Sequence, residues 1–116
     1  MTKIDLDRYL KAAEQCGTPT FIYSEATLKK NVQRVKNALE ETGLADRVTI
    51  YVAYFTNSHP LFFRILAKQG IGAVLQSVEE HKQLEFFGLR DIESIVSPTT
   101  LSDEDLKYFL DKNLKV

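Results

Sequence analysis

A chain of 116 residues fits one domain or part of one. With 44% hydrophobic and 27% charged residues it has the profile of a soluble globular chain with a small core. The formal charge of −1, from 15 basic and 16 acidic residues, gives nucleic acid binding no electrostatic support.

No run approaches the roughly 20 apolar residues of a membrane span. The opening Met-Thr-Lys-Ile-Asp-Leu-Asp carries acids where a signal peptide needs a basic start and an apolar core, so a cytoplasmic location is expected. One cysteine, Cys16, excludes an intrachain disulfide and reads as a half-buried helix residue. A catalytic thiol would need a histidine beside it, and neither His59 nor His81 is obviously placed for that.

In chain order, residues 4–15 place Ile4, Leu6, Tyr9, Leu10 and Ala13 at helical spacing, with Gly17 as a stop. Thr20-Phe21-Ile22-Tyr23 is a short β-rich run, and Ser24 suits the N-cap of a helix over residues 25–42. That helix would turn Leu28, Val32, Val35 and Leu39 inward and end at Gly43. Residues 47–55 predict a strand covered on both faces, since Val48, Ile50, Val52 and Tyr54 alternate with a set in which only Thr49 is polar. The run breaks at Asn57-Ser58-His59-Pro60, and any of the first three could cap the helix expected over residues 60–69.

A second buried strand is expected over residues 72–76. Ser77-Val78-Glu79-Glu80 then has the capping-box pattern, opening a helix to about Phe87 with Leu84 and Phe87 inward and Gly88 as its stop. A third strand is expected over residues 92–97, and Ser102-Asp103-Glu104-Asp105 opens a last helix with acids facing its dipole. Leu106, Tyr108, Phe109 and Leu110 would form the inward side of that helix. Asn113 can end it, and Leu114-Lys115-Val116 resembles a fourth strand just begun. Successive strand–helix units of this length imply an α/β fold with a parallel sheet and right-handed crossovers. Sites in such folds gather at the carboxyl ends of the strands, which puts Tyr54 to His59 first among candidates.

Four stretches carry a family resemblance. Gly17-Thr18-Pro19-Thr20-Phe21-Ile22-Tyr23-Ser24, Val52-Ala53-Tyr54-Phe55-Thr56-Asn57-Ser58-His59-Pro60 (at Ala53, Tyr54, Asn57, Ser58, His59 and Pro60), Gly72-Ala73-Val74-Leu75-Gln76-Ser77-Val78-Glu79-Glu80 and Ser97-Pro98-Thr99-Thr100-Leu101-Ser102-Asp103-Glu104-Asp105-Leu106 follow in order and with matching spacing. Together they resemble the start of the fold type III pyridoxal-phosphate decarboxylases, the diaminopimelate, ornithine and arginine decarboxylases with an alanine-racemase-like barrel. The resemblance implies a partial (β/α)8 TIM-like barrel over residues 1–116, with an N-terminal helix and leading strand in residues 1–24 and βα units in 25–116. It implies pyridoxal phosphate as the family's cofactor, with Ala53, Phe55, Val74 and Glu80 as pocket positions.

The departures decide the chemistry. The family's Schiff-base lysine falls at Phe55, which has no amine. The nearest lysine in sequence, Lys68, sits on the following helix. The family's aspartate in the second strand falls at Val74. Glu80 matches, but capping explains it as well, and His59 has an ordinary reading as a polar residue at a helix start. The ring-stacking histidine, the glycine-rich phosphate loop, the acid that pairs with the pyridine nitrogen and the C-terminal β-domain would all fall beyond residue 116.

No catalytic residue is therefore expected in this chain. The leading expectation is a relative without autonomous catalysis. The alternatives are a portion of an active decarboxylase, as a split subunit or an excerpt, and a binder that stacks a flat ligand on Tyr54 and Phe55. An open arc of strands predicts either association, as a homo-oligomer or with a chain carrying the rest of the barrel, or a flatter sheet with helices on both faces. A metal site has no support, since His59 and His81 lie 22 residues apart without companion ligands.

Overall fold

In the computed structural model the chain is described over residues 6–116. The expected start of the first helix at Ile4 lies outside the described residues. The element order is α1 (Leu6–Cys16), α2 (Glu25–Glu41), β1 (Tyr51–Ala53), a 3-10 turn (Tyr54–Thr56), α3 (Pro60–Lys68), β2 (Gly72–Leu75), α4 (Val78–Phe86), β3 (Ser94–Val96) and α5 (Asp103–Asp111).

The three strands form a parallel sheet in the order β1-β2-β3. Val52, Ala73 and Ser94 share one row, and Ala53, Val74 and Ile95 share the next. Past β3, Lys115 makes a parallel bridge with Ile95, and the Val96 amide donates to the Lys115 carbonyl at 2.7 Å. The fourth strand expected at residues 114–116 has therefore begun on the outer edge of β3.

Parallel neighbours joined in sequence order by right-handed crossovers place their helices on one side of the sheet. The burial pattern agrees. Ala73 and Leu75 are fully buried, clustered with Phe63 and Leu66 of α3 and with Leu84 of α4, and with Tyr54 and Ile71. Ala53, Val74 and Ile95, on the opposite face, are only half-buried and belong to neither core cluster. The strands are thus covered on one face, and the flatter two-faced sheet is not what forms.

A second, smaller cluster joins Val78, Val96 and Phe109, with Leu101, Tyr108 and Leu114 against it. It fastens α5 to α4 and β3. The inward side expected of α5 is narrower than its apolar content suggests, because Leu110 is exposed and Leu106 is largely so.

Serine caps start three helices. Ser24, Ser77 and Ser102 accept from the amides of Thr27, Glu80 and Asp105 respectively. At α5 the box is complete, since Asp105 Oδ2 accepts from the Ser102 amide at 3.1 Å. At α4 the reciprocal bond is displaced by one residue: Glu80 Oε2 accepts from Gln76, not from Ser77. Asn113 ends α5 in the left-handed region, at φ 55°.

Three expectations fail for one reason, the lack of a neighbour. Thr20–Tyr23 form no strand, and Phe21 is 89% exposed, because no sheet edge lies beside them to pair their backbone. The β1 pairing is three residues long, not nine, and Val48 is exposed where a covered strand was expected. Cys16, the last residue of α1, is exposed, since α1 buries none of its residues.

Candidate functional site

The carboxyl end of β1 leads straight into the 3-10 turn, and this turn separates two aromatics of opposite fate. Tyr54 is 1% exposed; its ring centroid lies 4.9 Å from that of Phe63. Its hydroxyl donates toward the Ser58 carbonyl at 3.3 Å and Gln83 Oε1 at 3.2 Å, tying the turn to α4. Burial, with Glu80 adding to it, holds the Tyr54 phenol above its ordinary value, so it stays protonated as a structural donor. Phe55, the next residue, is 59% exposed. The covered strand expected over residues 47–55 therefore holds at Tyr54 and fails at Phe55, because a 3-10 turn replaces the strand and leaves the second ring exposed.

The polar residues after the turn close on the local backbone. Thr56 Oγ1 donates to the Ala53 carbonyl at 2.7 Å. Asn57 Oδ1 accepts from the His59 amide at 3.1 Å, and His59 Nδ1 accepts from the Leu61 amide at 3.2 Å. Of the three cap candidates His59 is the one used, with Pro60 at the first helical position. An Nδ1 that accepts from an amide leaves the proton of the neutral ring on Nε2. The Asn-Ser-His-Pro run is thus accounted for as a strand-to-helix turn.

Of the four candidate positions, two meet directly. Ala53 and Val74 are register partners on the bare face, Phe55 lies two residues past Ala53, and Glu80 reaches back to the Gln76 amide just after β2 at 2.7 Å. Glu80 is the one ionisable group among the four, and it is engaged with the backbone. Among the described residues no group of three or more His, Cys, Asp and Glu side chains could hold a metal.

Two open clefts lie elsewhere. One, of about 640 Å3, runs between α1, α2 and α3 and is lined by Tyr9, Ile22, Tyr23, Leu28, His59 and Phe62 among others. The other, of about 660 Å3, lies beside Pro60, Lys82, Phe86 and Phe87. They share His59, and neither includes Ala53, Phe55, Val74 or Glu80.

A polar row on the bare face escapes sequence reasoning. The Tyr51 hydroxyl crosses the Gly72 position to donate to Glu93, whose Oε1 also lies 3.6 Å from Lys115 Nζ. That hydrogen bond holds the Tyr51 phenol above its ordinary value and the Glu93 carboxyl below its own. The alternation of residues in β1 points to Tyr51's face, but nothing local names a partner 42 residues away.

An α/β chain of sequential parallel βα units, with a bare sheet face and a turn at the first strand end, is the class that fold and site define. Comparison with known proteins narrows this. The chain is 29% identical over 104 residues to a diaminopimelate decarboxylase of Thermoplasma acidophilum, covering 90% of this chain and 25% of that protein. It is 26% identical over 99 residues to a diaminopimelate decarboxylase of Zymomonas mobilis, covering 85% of this chain and 23% of that protein. The chain therefore spans about a quarter of the length of the curated relatives it matches. No protein-family profile and no solved structure matches it.

Proposed function

We propose that this chain is the opening arc of a decarboxylase-like (β/α)8 barrel without catalysis of its own. The similarity to two diaminopimelate decarboxylases supports the relationship. The sequential parallel order, the helices on one side and the begun fourth strand support the barrel arc. The observation that carries the absence of catalysis is Phe55, an exposed aromatic at the strand end where the resemblance calls for an amine.

The residues present do not fit pyridoxal phosphate held as an imine. Phe55 offers no nitrogen, Ala53 and Val74 offer apolar surface, and Glu80 is committed to the Gln76 amide. No reaction step is assigned through the cofactor. The chain's role is then association, either with a second copy or with a polypeptide carrying further βα units, across the bare face and the open β1 edge.

The test is reductive trapping. The chain is incubated with pyridoxal phosphate, treated with borohydride and mapped by mass spectrometry. The expected result is scattered, low-level modification of exposed lysines and no absorbance band that survives dialysis. Stoichiometric trapping at a single lysine would overturn the reading. Co-purification with a polypeptide that carries a glycine-rich phosphate loop would favour a split, active enzyme instead.

A further inference from the structure

The contact between α4 and α5 is built around an ionisable group that the proposed function does not use. His81 of α4 is 6% exposed, and its Nδ1 lies 2.9 Å from the Tyr108 hydroxyl of α5. The two rings meet edge to face at 5.7 Å. Around them stand five charges. On α4, Glu85 Oε2 lies 3.9 Å from His81 Nδ1, and Lys82 Nζ lies 5.6 Å from the Tyr108 ring centroid. On α5, Lys112 bonds Glu85 at 2.7 Å and lies 5.7 Å from the same ring. Arg90, beyond α4, and Asp105, at the start of α5, act on Glu85 and with Lys82 respectively.

The contact lies beside the smaller cluster of Val78, Val96 and Phe109, and among the described residues only Leu114 packs against both this cluster and the main core. A small cluster of its own lets a segment open locally while the rest stays folded. The same segment carries Lys115, whose carbonyl covers the Val96 amide on the outer edge of β3.

We propose that the His81–Tyr108 contact is an acid-released latch, which governs whether residues 101–116 stay docked over the outer edge of β3. With a neutral ring, Nδ1 accepts the phenol's hydrogen. A protonated ring must donate through Nδ1, so the bond has to reverse onto the phenol oxygen, the phenol's hydrogen loses its acceptor, and a new cation is buried beside Lys112. Glu85 offsets part of this, but it is already paired with Lys112.

Burial is the largest influence on His81, and together with Lys112 it outweighs the opposing effect of Glu85, holding the imidazole below its ordinary value of 6.5. The unfolded or undocked segment thus binds the proton more readily. The contribution to stability is present above pH 6.5 and is lost as pH falls from there through the lowered value. The carboxylates around the ring remain ionised above pH 5, which leaves the window to histidine.

Hydrogen exchange read by mass spectrometry at pH 7.5 and 5.5, corrected for intrinsic exchange rates, tests this on the intact chain. Residues 101–116 are expected to lose protection at pH 5.5 selectively, by a factor of up to about tenfold per pH unit, while α2 and α3 hold theirs. His81→Gln keeps a hydrogen-bonding side chain without the titration and is expected to flatten the difference. Each histidine also gives one imidazole Hε1 resonance, and the midpoint of the one from His81 should coincide with the loss of protection. Protection of residues 101–116 that is unchanged between the two pH values would overturn the latch. So would a loss shared equally by α2 and α3, or a step that survives in His81→Gln.

Discussion

Gly72 shows how one residue can organise a sheet face. A Cβ built there would meet the Glu93 carbonyl oxygen at 2.6 Å and collide with the Tyr51 ring. The ring can swing aside only by giving up its bond to Glu93, and the carbonyl belongs to the sheet. Gly72→Ala is therefore expected to destabilise the fold by about 1–3 kcal/mol, the usual range for overpacking a closed site, read as a lower urea midpoint with an unchanged slope. A variant as stable as the parent would mean that Tyr51 does not lie across this position. The sequence marks Gly72 only as the first residue of a strand. Its requirement comes from a side chain 21 positions earlier and a backbone atom 21 positions later, which no local pattern relates. Phe55 is the reverse case: its chemistry is legible at once from the residue type, while its exposure follows from a turn that strand alternation does not foresee.

Elements were legible where their ends are marked by local chemistry. The three serine caps, the proline at the start of α3 and the left-handed residues Gly43, Gly70, Gly88 and Asn113 all act within a few residues of themselves, so the helix bounds fall close to expectation. What depends on a distant neighbour was not legible. The β-rich run at Thr20–Tyr23 has the residues of a strand but no edge to join, and β1 stops where β2 stops pairing with it. Among the caps, Ser77 is the most consequential, because α4 brings Leu84 to the core and His81 to α5. Its Oγ accepts from the Glu80 amide at 3.2 Å, and Glu80 then reaches the Gln76 amide. Ser77→Ala is expected to cost about 1 kcal/mol in chemical denaturation, with faster amide exchange confined to the first turn of α4. Substitution without loss would assign the capping to Glu80 alone.

The proportions of the whole chain bear on its state. Its radius of gyration is 17.1 Å and its extents are 51 × 41 × 24 Å, against about 13 Å for a compact domain of this length. Its accessible surface is 8829 Å2, roughly 2,400 Å2 above that of a typical monomer of 13.2 kDa. The excess is of the size that obligate partners bury. It lies where the sheet is bare at Tyr51, Ala53, Val74 and Ile95, and along Leu6, Leu10, Phe21 and Tyr23, whose large side chains stand in solvent. Apolar surface of this extent, together with an open β1 edge, favours association over a free monomer. The isolated chain is thus expected to sediment above 13.2 kDa at micromolar concentrations, with the assembly dissociating on dilution. A lysine placed at Val74 should shift that equilibrium toward monomer, because it puts an unpaired charge at the centre of the bare face without touching the helix-covered core. A monodisperse 13.2 kDa species at every concentration would show that the arc persists alone with its inner face wet, and the association role would then have to be abandoned. An assembly indifferent to the Val74 substitution would move the contact from the sheet face to the exposed α1 side, where the charge does not reach.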